Sequence, residues 1–234
     1  MNFDIIKLEE TESTNTFAKA LLKSGELCAP FTLVYTENQL SGRGRLGRVW
    51  LSQKGETLCM SLIAPFPHNP AITLLSALGV HRALRTITNA DIKIKWPNDL
   101  IADNKKLCGI LTESTDKAAV IGIGINLNTK AFPLEIAHKA TSLALIEKKN
   151  YSPETVAKSV ATSIISILEE TKGTLTEEAL SLYTSLCANL GREVTFREHT
   201  ATAVGIAPDG CLIAECGNKT EYINSGEVTI SGIY

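Results

Sequence analysis

A change of sequence pattern at Gly191 constrains the fold of this chain more than any other feature. Before Gly191, apolar periodicities of helix length alternate with buried strands, which is typical of a mixed α/β domain. After it, short β-prone runs alternate with turn signals, namely Pro208-Asp209-Gly210, Gly217-Asn218 and Ser225-Gly226. This second pattern predicts a small barrel or sandwich of about 45 residues. We therefore predict two domains, residues 1–189 and 190–234.

Start and stop signals place the elements of the larger domain. A helix is capped by Ser13 or Thr14 and ends at Gly25, and further helices are predicted over 70–88, from 152 onward and over 176–189. Strands are predicted over 31–36, 58–64, 92–94, 100–102, 107–111 and 119–127. Asp103-Asn104-Lys105 suits a hairpin turn between two of these strands.

Composition excludes several classes of function. The net charge of −2 argues against a surface that attracts nucleic acid as a whole. The chain starts without a basic region and long apolar run, and it has no stretch near the roughly 20 apolar residues of a membrane helix. Its six cysteines form no CxxC pair, and its four histidines share no ligand spacing. We expect a cytoplasmic protein with reduced, buried thiols and no zinc site.

The segment from Ser41 to Trp50, called here the arginine-glycine loop, lies in a polar stretch, 38–55, predicted to be one long loop. It carries Arg43, Arg45 and Arg48 among three glycines, and no acidic residue lies between Glu37 and Glu56. Glycines let a backbone bend around a ligand, and arginines offer forked donors to phosphate and carboxylate. These features favour a flexible anion-binding loop over a merely solvated basic loop.

Two other interpretations of this loop are disfavoured. Gly42-x-Gly44-x-x-Gly47 matches the dinucleotide fingerprint, but it follows polar residues instead of a strand and opens no convincing helix. Arg-Gly-Arg also occurs in nucleic-acid-binding arms, yet here the basic patch is short and the chain is mildly acidic.

Two further segments offer polar side chains at strand ends. Pro97 forces a turn that presents Asn98 and Asp99, although an Asn-Asp pair in a turn is often only structural. Lys106 precedes a buried strand, where it either holds an anion or is a solvated hairpin lysine. Gly122 and Gly124 interrupt another buried strand, which indicates that a ligand or a helix packs closely there before Asn126.

Taken in order, these segments resemble the biotin protein ligases. The motifs are Ser13-Thr14-Asn15, Gly42-Arg43-Gly44-Arg45-x-Gly47-Arg48-x-Trp50, Lys95-Trp96-Pro97-Asn98-Asp99, Lys106-Leu107-x-Gly109-Ile110-Leu111 and Gly122-x-Gly124-Ile125-Asn126. The resemblance implies an α+β fold with a mixed central sheet, like class II aminoacyl-tRNA synthetases, and an SH3-like C-terminal barrel. It implies ATP-dependent conversion of biotin to biotinyl-5'-AMP and transfer of biotin to a lysine.

The same resemblance implies roles for individual residues. Those expected around biotin are Ser13, Thr14, Asn15, Gln39, Arg43, Gly44, Arg45, Lys106 and Gly109. Those expected around ATP are Arg43, Arg45, Arg48, Trp50, Asn98, Lys106 and Asn126. Catalytic roles are implied for Lys106, Arg45, Arg48 and Asp99, the last near the incoming lysine amine. Mg²⁺ is expected with ATP, without assigned protein ligands.

The implied partner is a biotin carboxyl carrier protein, such as the carrier subunit of acetyl-CoA carboxylase. Because the first motif begins at Ser13, we expect the monofunctional form without a DNA-binding domain, as a monomer or homodimer. One departure is Cys108, where the family often has alanine of similar size. The nearest alternative is a lipoate or octanoate ligase or transferase, whose differently spaced Arg-Gly-Gly signature is absent. A nucleic-acid-binding module is the alternative of another class.

Overall fold

The structure is a computed structural model that describes residues 3–27, 29–67, 69–115, 117–197, 199–224 and 228–234. Cys28, His68 and the predicted turn at Ser225-Gly226 lie outside the described residues. The helices are α1 (Thr14–Ser24), α2 (Pro70–Arg85), α3 (Leu143–Glu147), α4 (Pro153–Thr171) and α5 (Glu177–Leu186). The strands are β1 (Asp4–Lys7), β2 (Thr32–Thr36), β3 (Gly42–Arg43), β4 (Val49–Trp50), β5 (Thr57–Ala64), β6 (Ile92–Lys95), β7 (Asp99–Ala102), β8 (Lys105–Ser114), β9 (Ala119–Asn126), β10 (Glu193–Phe196), β11 (His199–Ile206), β12 (Leu212–Cys216), β13 (Lys219–Ile223) and β14 (Thr229–Ile230).

A mixed seven-stranded sheet organises the larger part of the chain. Its strand order is β1-β2-β5-β9-β8-β7-β6, in which β1 and β2 are parallel and the other neighbours are antiparallel. Helices α2 and α4 pack with Ile121, Ile123 and Ile125 on one face of the sheet, where the main apolar core lies. On the other face, α1 packs over Val120. This architecture confirms the predicted α+β fold.

Strands β10 to β14 form a second, antiparallel five-stranded sheet in the order β13-β12-β11-β10-β14. The two sheets meet at Trp96, whose indole Nε1 donates to the carbonyl of Gly210 at 2.9 Å. Gly210 lies in a turn with a φ of +88°, where an L side chain would be strained. The predicted all-β C-terminal unit is confirmed, whereas the boundary at 189/190 stays a prediction.

Besides the hairpin of β3 and β4 within the predicted loop 38–55, three elements differ from the prediction. Strand β1 was not predicted, because it is a short and largely exposed edge strand with only two apolar residues. Helix α3 spans five residues, too few for a periodicity to be recognised. Helix α5 ends at Leu186 and not at Asn189, because the Asn189 side chain instead accepts a hydrogen bond from the Trp96 backbone N–H at 2.8 Å.

No helix among the described residues is both long and apolar enough to cross a membrane.

Candidate active site

One cleft of about 1270 Å³ lies on the sheet face that α1 covers only in part. Alternate residues of a strand share a face, so Val120, Gly122, Gly124 and Asn126 all point to this side. Val120 lies beneath α1, whereas Gly122, Gly124 and Asn126 line the cleft. All residues implied as biotin-binding, ATP-binding or catalytic line this one cleft, namely Ser13, Thr14, Asn15, Gln39, Arg43, Gly44, Arg45, Arg48, Trp50, Asn98, Asp99, Lys106, Gly109 and Asn126.

The two glycines of β9 accommodate side chains of the protein itself. A Cβ atom on Gly122 would lie 2.4 Å from Asn15 Oδ1, and one on Gly124 would lie 2.3 Å from the Trp50 ring. These distances are far below contact, so the glycines are required by close packing. The sequence left open a ligand or a helix at this point. The structure places one residue of helix α1 and one of the arginine-glycine loop there.

One end of the cleft is a polar corner built from Ser13, Thr14, Asn15, Gln39, Ser61 and Glu113. Ser13 caps α1 by accepting from the Thr16 backbone N–H at 3.4 Å, which fixes the following two residues at the start of the helix. The Thr14 backbone N–H donates to Gln39 Oε1 at 2.9 Å. This bond joins the helix start to the segment that leads into the arginine-glycine loop.

Glu113 holds the Asn15 amide in one orientation. Asn15 Nδ2 donates to Glu113 Oε2 at 2.8 Å and to the Leu111 carbonyl at 3.2 Å. Lys19 forms an ion pair with the same carboxylate at 2.5 Å. Burial raises the pKa of Glu113, but the hydrogen bonds from Lys19 and Asn15 outweigh that effect, and the pKa lies below its ordinary value.

The arginine-glycine loop contains more regular structure than the predicted continuous loop. Gly42 pairs with Trp50 and Arg43 with Val49 in a small antiparallel hairpin, and Arg45–Gly47 forms a 3-10 turn. The tip is exposed, since 73% of the surface of both Leu46 and Val49 is accessible. Gly42 allows the chain to pass close to the Trp50 backbone, because a Cβ there would lie 2.5 Å from its carbonyl oxygen.

Arg45 connects the arginine-glycine loop to the opposite wall of the cleft. Its Nη1 donates to Asn98 Oδ1 at 3.1 Å, and Asn98 Nδ2 donates to the Ile110 carbonyl at 2.8 Å. Partial burial lowers the pKa of the Arg45 guanidinium, and the nearby Asp99 carboxylate opposes that effect. The Asn98 side chain thus bonds the neighbouring strand β8 and the arginine-glycine loop instead of the backbone of its own turn.

Lys106 and Asp99 face each other on neighbouring strands. Lys106 Nζ lies 2.8 Å from Asp99 Oδ1 and 5.6 Å from the centroid of the Trp50 ring. The hydroxyl of Tyr234 donates to the other oxygen of Asp99, and Lys95 Nζ lies 3.7 Å from the centroid of the Tyr234 ring. The sequence predicted the lysine and the aspartate but gave no sign that they pair or that Tyr234 reaches them.

The far end of the cleft is formed by Asn126 and the segment 129–140. Asn126 Nδ2 donates to the carbonyls of Thr141 at 3.1 Å and Lys106 at 3.3 Å. Both N–H groups of the amide are thus used within the protein, and Oδ1 is the atom that can accept a hydrogen bond from a ligand. Sequence reasoning missed the apolar lining of this end, Phe132, Pro133 and Ile136, because no motif marks it.

The cleft contains one buried thiol and several cations. Burial raises the pKa of the Cys59 thiol to about 12, although hydrogen bonds with Ser52 and Trp50 lower it in part, so that the thiol stays protonated at neutral pH. No group of three or more His, Cys, Asp or Glu side chains is placed to hold a metal ion within the described residues. The cleft is instead rich in cations, as a site for anions requires.

Comparison with known proteins finds two family models that match this chain. The model described as "Biotin/lipoate A/B protein ligase family" matches residues 8–129, just over half of the chain, and "Biotin protein ligase C terminal domain" matches residues 190–231. The bifunctional ligase/repressor BirA of Bacillus subtilis (strain 168) is 31% identical over 217 residues, which cover 85% of this chain and 66% of that protein. The biotin--[acetyl-CoA-carboxylase] ligase of Mycobacterium tuberculosis is 28% identical over 232 residues, 94% of this chain and 86% of that protein.

The match to BirA of Bacillus spizizenii covers 38% of that relative, so this chain spans between about two fifths and two thirds of the two Bacillus relatives. Among solved structures, that of "Biotin protein ligase from Aquifex aeolicus in complex with biotin and ATP" is similar with a TM-score of 0.85 at 31% identity. That match covers 97% of this chain and 98% of the Aquifex chain.

Proposed function

This chain belongs to the biotin/lipoate A/B protein ligase family, and from that premise we propose that it joins biotin to a lysine of a carrier protein in two ATP-dependent steps. One observation carries the proposal. A single cleft holds a hydrogen-bonding corner at one end, several cations in the middle and a partly apolar end beyond them. Biotinyl-5'-AMP has these same three parts, a polar ring, an acyl phosphate and an adenosine.

In the first step the biotin carboxylate attacks the α-phosphorus of ATP, and the bond to pyrophosphate breaks. The reactants are anions that repel each other, so the site must neutralise them. We assign this role to Lys106, Arg43, Arg45 and Arg48, which all line the cleft. Mg²⁺ arrives bound to the phosphates of ATP, whose oxygens it prefers. The cleft carboxylates Asp99 and Glu113 already pair with lysines.

Lys106 has to change partner during this step. In the structure it pairs with Asp99, and its side chain is 29% accessible. The flexible four-carbon side chain can turn its ammonium toward the reacting carboxylate and phosphate. Asp99 is then released to meet the amine of the acceptor lysine.

In the second step the amine attacks the acyl carbon, and AMP leaves. A lysine amine is mostly protonated near pH 7, so the attack needs a group that orients it and takes up a proton. We assign this role to Asp99. Its two oxygens meet Lys106 and the hydroxyl of Tyr234, which hold the carboxylate at the mouth between the two sheets.

The two ligands occupy opposite ends of the cleft in this proposal. The biotin ring lies against Ser13, Thr14, Asn15 and Gln39, with Gly109 as part of the floor beside it. The Arg43 and Gly44 backbone closes over the ring and the adenylate. Trp50, Asn98 and Asn126 contact the nucleotide, where Asn126 Oδ1 accepts from the adenine amino group.

The proposal also covers the acceptor protein, the cellular compartment and the roles of the two predicted domains. Relatives from Mycobacterium tuberculosis and Paracoccus denitrificans are biotin--[acetyl-CoA-carboxylase] ligases, which favours the biotin carboxyl carrier of such a carboxylase. Residues 1–189 carry the chemistry and residues 190–234 contribute Tyr234. The five described cysteines are all free thiols, as in the cytoplasm. We propose a monomer or homodimer that uses no nucleic acid.

The test is substrate-dependent exchange of labelled pyrophosphate into ATP, followed by transfer to a purified carrier domain. We expect exchange with biotin, none with lipoate or octanoate, and one biotin added to one lysine. Exchange that depends on lipoate or octanoate would replace this proposal with the corresponding ligase, and salt-sensitive binding of DNA or RNA without exchange would contradict it altogether.

A further inference from the structure

Ser61 is a buried polar residue that the two steps above do not use. It lies in the middle of β5, where its accessible surface is 0% and the residues on either side are apolar. Directly opposite on β9 stands Gly122. Because Gly122 has no side chain, Asn15 lies flat against the sheet and reaches Ser61. The serine thus lies at the base of the polar corner, beneath Thr14 and Asn15.

The positions of the protons in this cluster follow from its geometry. Ser61 Oγ lies 2.6 Å from Asn15 Oδ1 and 2.8 Å from Thr14 Oγ1. A serine hydroxyl has one proton, and an amide oxygen can only accept. The proton of Ser61 is therefore used for Asn15, and the Thr14 hydroxyl supplies the proton of the other bond.

The orientation of the Asn15 amide is fixed independently. The Leu111 carbonyl and the Glu113 carboxylate lie within 3.2 Å of Nδ2, and both are acceptors, so the nitrogen must face them. The oxygen is left to face Ser61. Gln39 Oε1 receives the Thr14 backbone N–H at 2.9 Å and also lies 3.3 Å from the Thr14 hydroxyl, a longer contact than the 2.8 Å between that hydroxyl and Ser61 Oγ.

We propose that Ser61 is a positioning residue that makes Thr14 Oγ1 and Asn15 Oδ1 hydrogen-bond acceptors toward the cleft. With their donor capacity directed into the protein, these oxygens favour a ligand that offers N–H groups. A ureido ring offers two N–H groups, whereas a dithiolane ring or an alkyl chain offers none. The inference rests on the proposed function and adds to it the feature that selects biotin over lipoate and octanoate.

The size of the effect follows from what removal of the hydroxyl would leave behind. In Ser61→Ala, buried Asn15 Oδ1 loses its donor, and the Thr14 hydroxyl loses its nearer partner and keeps only the longer contact with Gln39 Oε1. Leaving buried polar groups without partners weakens the arrangement by an amount that corresponds to roughly tenfold in binding. The ATP end of the cleft has no contact with Ser61 and should be unaffected.

Steady-state pyrophosphate exchange with Ser61→Ala tests the proposal. We expect the KM for biotin to rise about tenfold, with kcat and the KM for ATP within twofold of wild type. The control is Ser76→Ala, an equally buried serine on α2 whose hydroxyl donates to the Ile72 carbonyl at 2.6 Å away from the cleft.

Each outcome decides the matter. An unchanged KM for biotin, or equal changes in the KM values for biotin and ATP, would overturn the role of Ser61. If Ser61→Ala does not fold, Ser61→Cys preserves the volume with a weaker donor, and the same criterion applies to it. Absence of biotin-dependent exchange in the wild type would instead overturn the proposed function, so the two failures are distinguishable.

Discussion

The polar corner and the arginine-glycine loop are two halves of one cleft that are built in opposite ways. In the corner, Thr14, Asn15 and Ser61 are almost completely buried and are bonded to one another or to strands of the sheet. In the loop, Leu46 and Val49 are largely exposed, and its sides are joined by a two-residue ladder and by the hydrogen bond from the Gly44 N–H to the Arg48 carbonyl at 2.7 Å. One half is therefore ordered before a ligand arrives, and the other retains the freedom to close.

The two halves have different tasks, because the polar corner recognises the ligand and the loop supports the reaction. Groups that are fixed in advance lose little entropy on binding and so provide selectivity. Arginines on a pliable segment can gather around charge that develops during the reaction, and closure of the segment excludes water. Lys106 belongs to the fixed half by position, yet its flexible side chain acts with the cations of the loop.

Replacement of Lys106 by alanine tests the cationic half with the largest expected effect. Loss of one charged donor at the reacting phosphate should slow biotin-dependent pyrophosphate exchange by roughly 100- to 1,000-fold. Lys105→Ala is the matched control, because the neighbouring lysine instead donates to the Ala137 carbonyl at 3.2 Å. Exchange at the wild-type rate would remove Lys106 from the first step.

Arg45→Gly should loosen the arginine-glycine loop where it meets the opposite wall. Without the Arg45–Asn98 bond, closure becomes incomplete and biotinyl-5'-AMP escapes, so biotinylation of bystander protein should rise by about tenfold. Bystander labelling is measured by streptavidin blotting after incubation with serum albumin. The control is Lys54→Gly, which also removes a cation but does not line the cleft. Equal labelling by wild type and Arg45→Gly contradicts this account of the loop.

Gly124→Ala tests the contact between strand β9 and Trp50 of the arginine-glycine loop. The added methyl group overlaps the Trp50 ring, so unfolding free energy should fall by about 1–3 kcal/mol and the KM for ATP should rise several-fold. Gly205→Ala meets only Ile213 at an ordinary 3.5 Å and serves as control. If the Trp50→Ala background does not relieve the loss of stability, the overlap is not its cause.

Glu113→Gln probes the corner with the smallest expected effect. The pKa of Glu113 is depressed in the folded chain, so its contribution to stability is present above the ordinary value of 4.5 and is lost as pH falls through the lower folded pKa. Wild type should therefore lose more unfolding free energy than Glu113→Gln between pH 7 and pH 3, by no more than about 1 kcal/mol because the pair is partly exposed. Urea titrations measure it, with exposed Glu135→Gln as control. A larger loss in the variant contradicts the assignment.

The sequence identified the charged side chains of the cleft but not the contacts between them. Arg43 and Arg45 stood out because arginines among glycines suit an anion-binding loop, whereas Lys106 stood out through the resemblance to biotin protein ligases, and their roles stay predictions. Ser61 and Glu113 did not, because their importance comes from contacts with Asn15 across 46 and 98 positions of the chain. A single serine within an apolar strand has no local signature, and only the fold reveals its partner.

The secondary structure likewise was predictable where local residues determine it and was missed where contacts between distant residues determine it. The bounds of helix α1 were predicted to within one residue, since its cap, expected at Ser13 or Thr14 and found at Ser13, and its stop at Gly25 are local signals. Helix α5 ends earlier than predicted because Asn189 accepts a hydrogen bond from the Trp96 backbone N–H, and no local sequence signal predicts that contact. Strand β1 likewise depends on its pairing with β2, because two isoleucines between charged residues are too short a run to predict a strand.

The central claim is that this cleft forms an acyl-adenylate from biotin and ATP, and direct detection of that product tests it most closely. Wild-type protein is mixed with biotin, ATP and Mg²⁺ without a carrier, quenched, and examined by mass spectrometry for biotinyl-5'-AMP. We predict about one molecule of product per molecule of protein, at least about 100-fold less from Lys106→Ala at the same early quench time, and none when lipoate replaces biotin. Product formed equally well by Lys106→Ala, or no product from the wild type, would contradict the account.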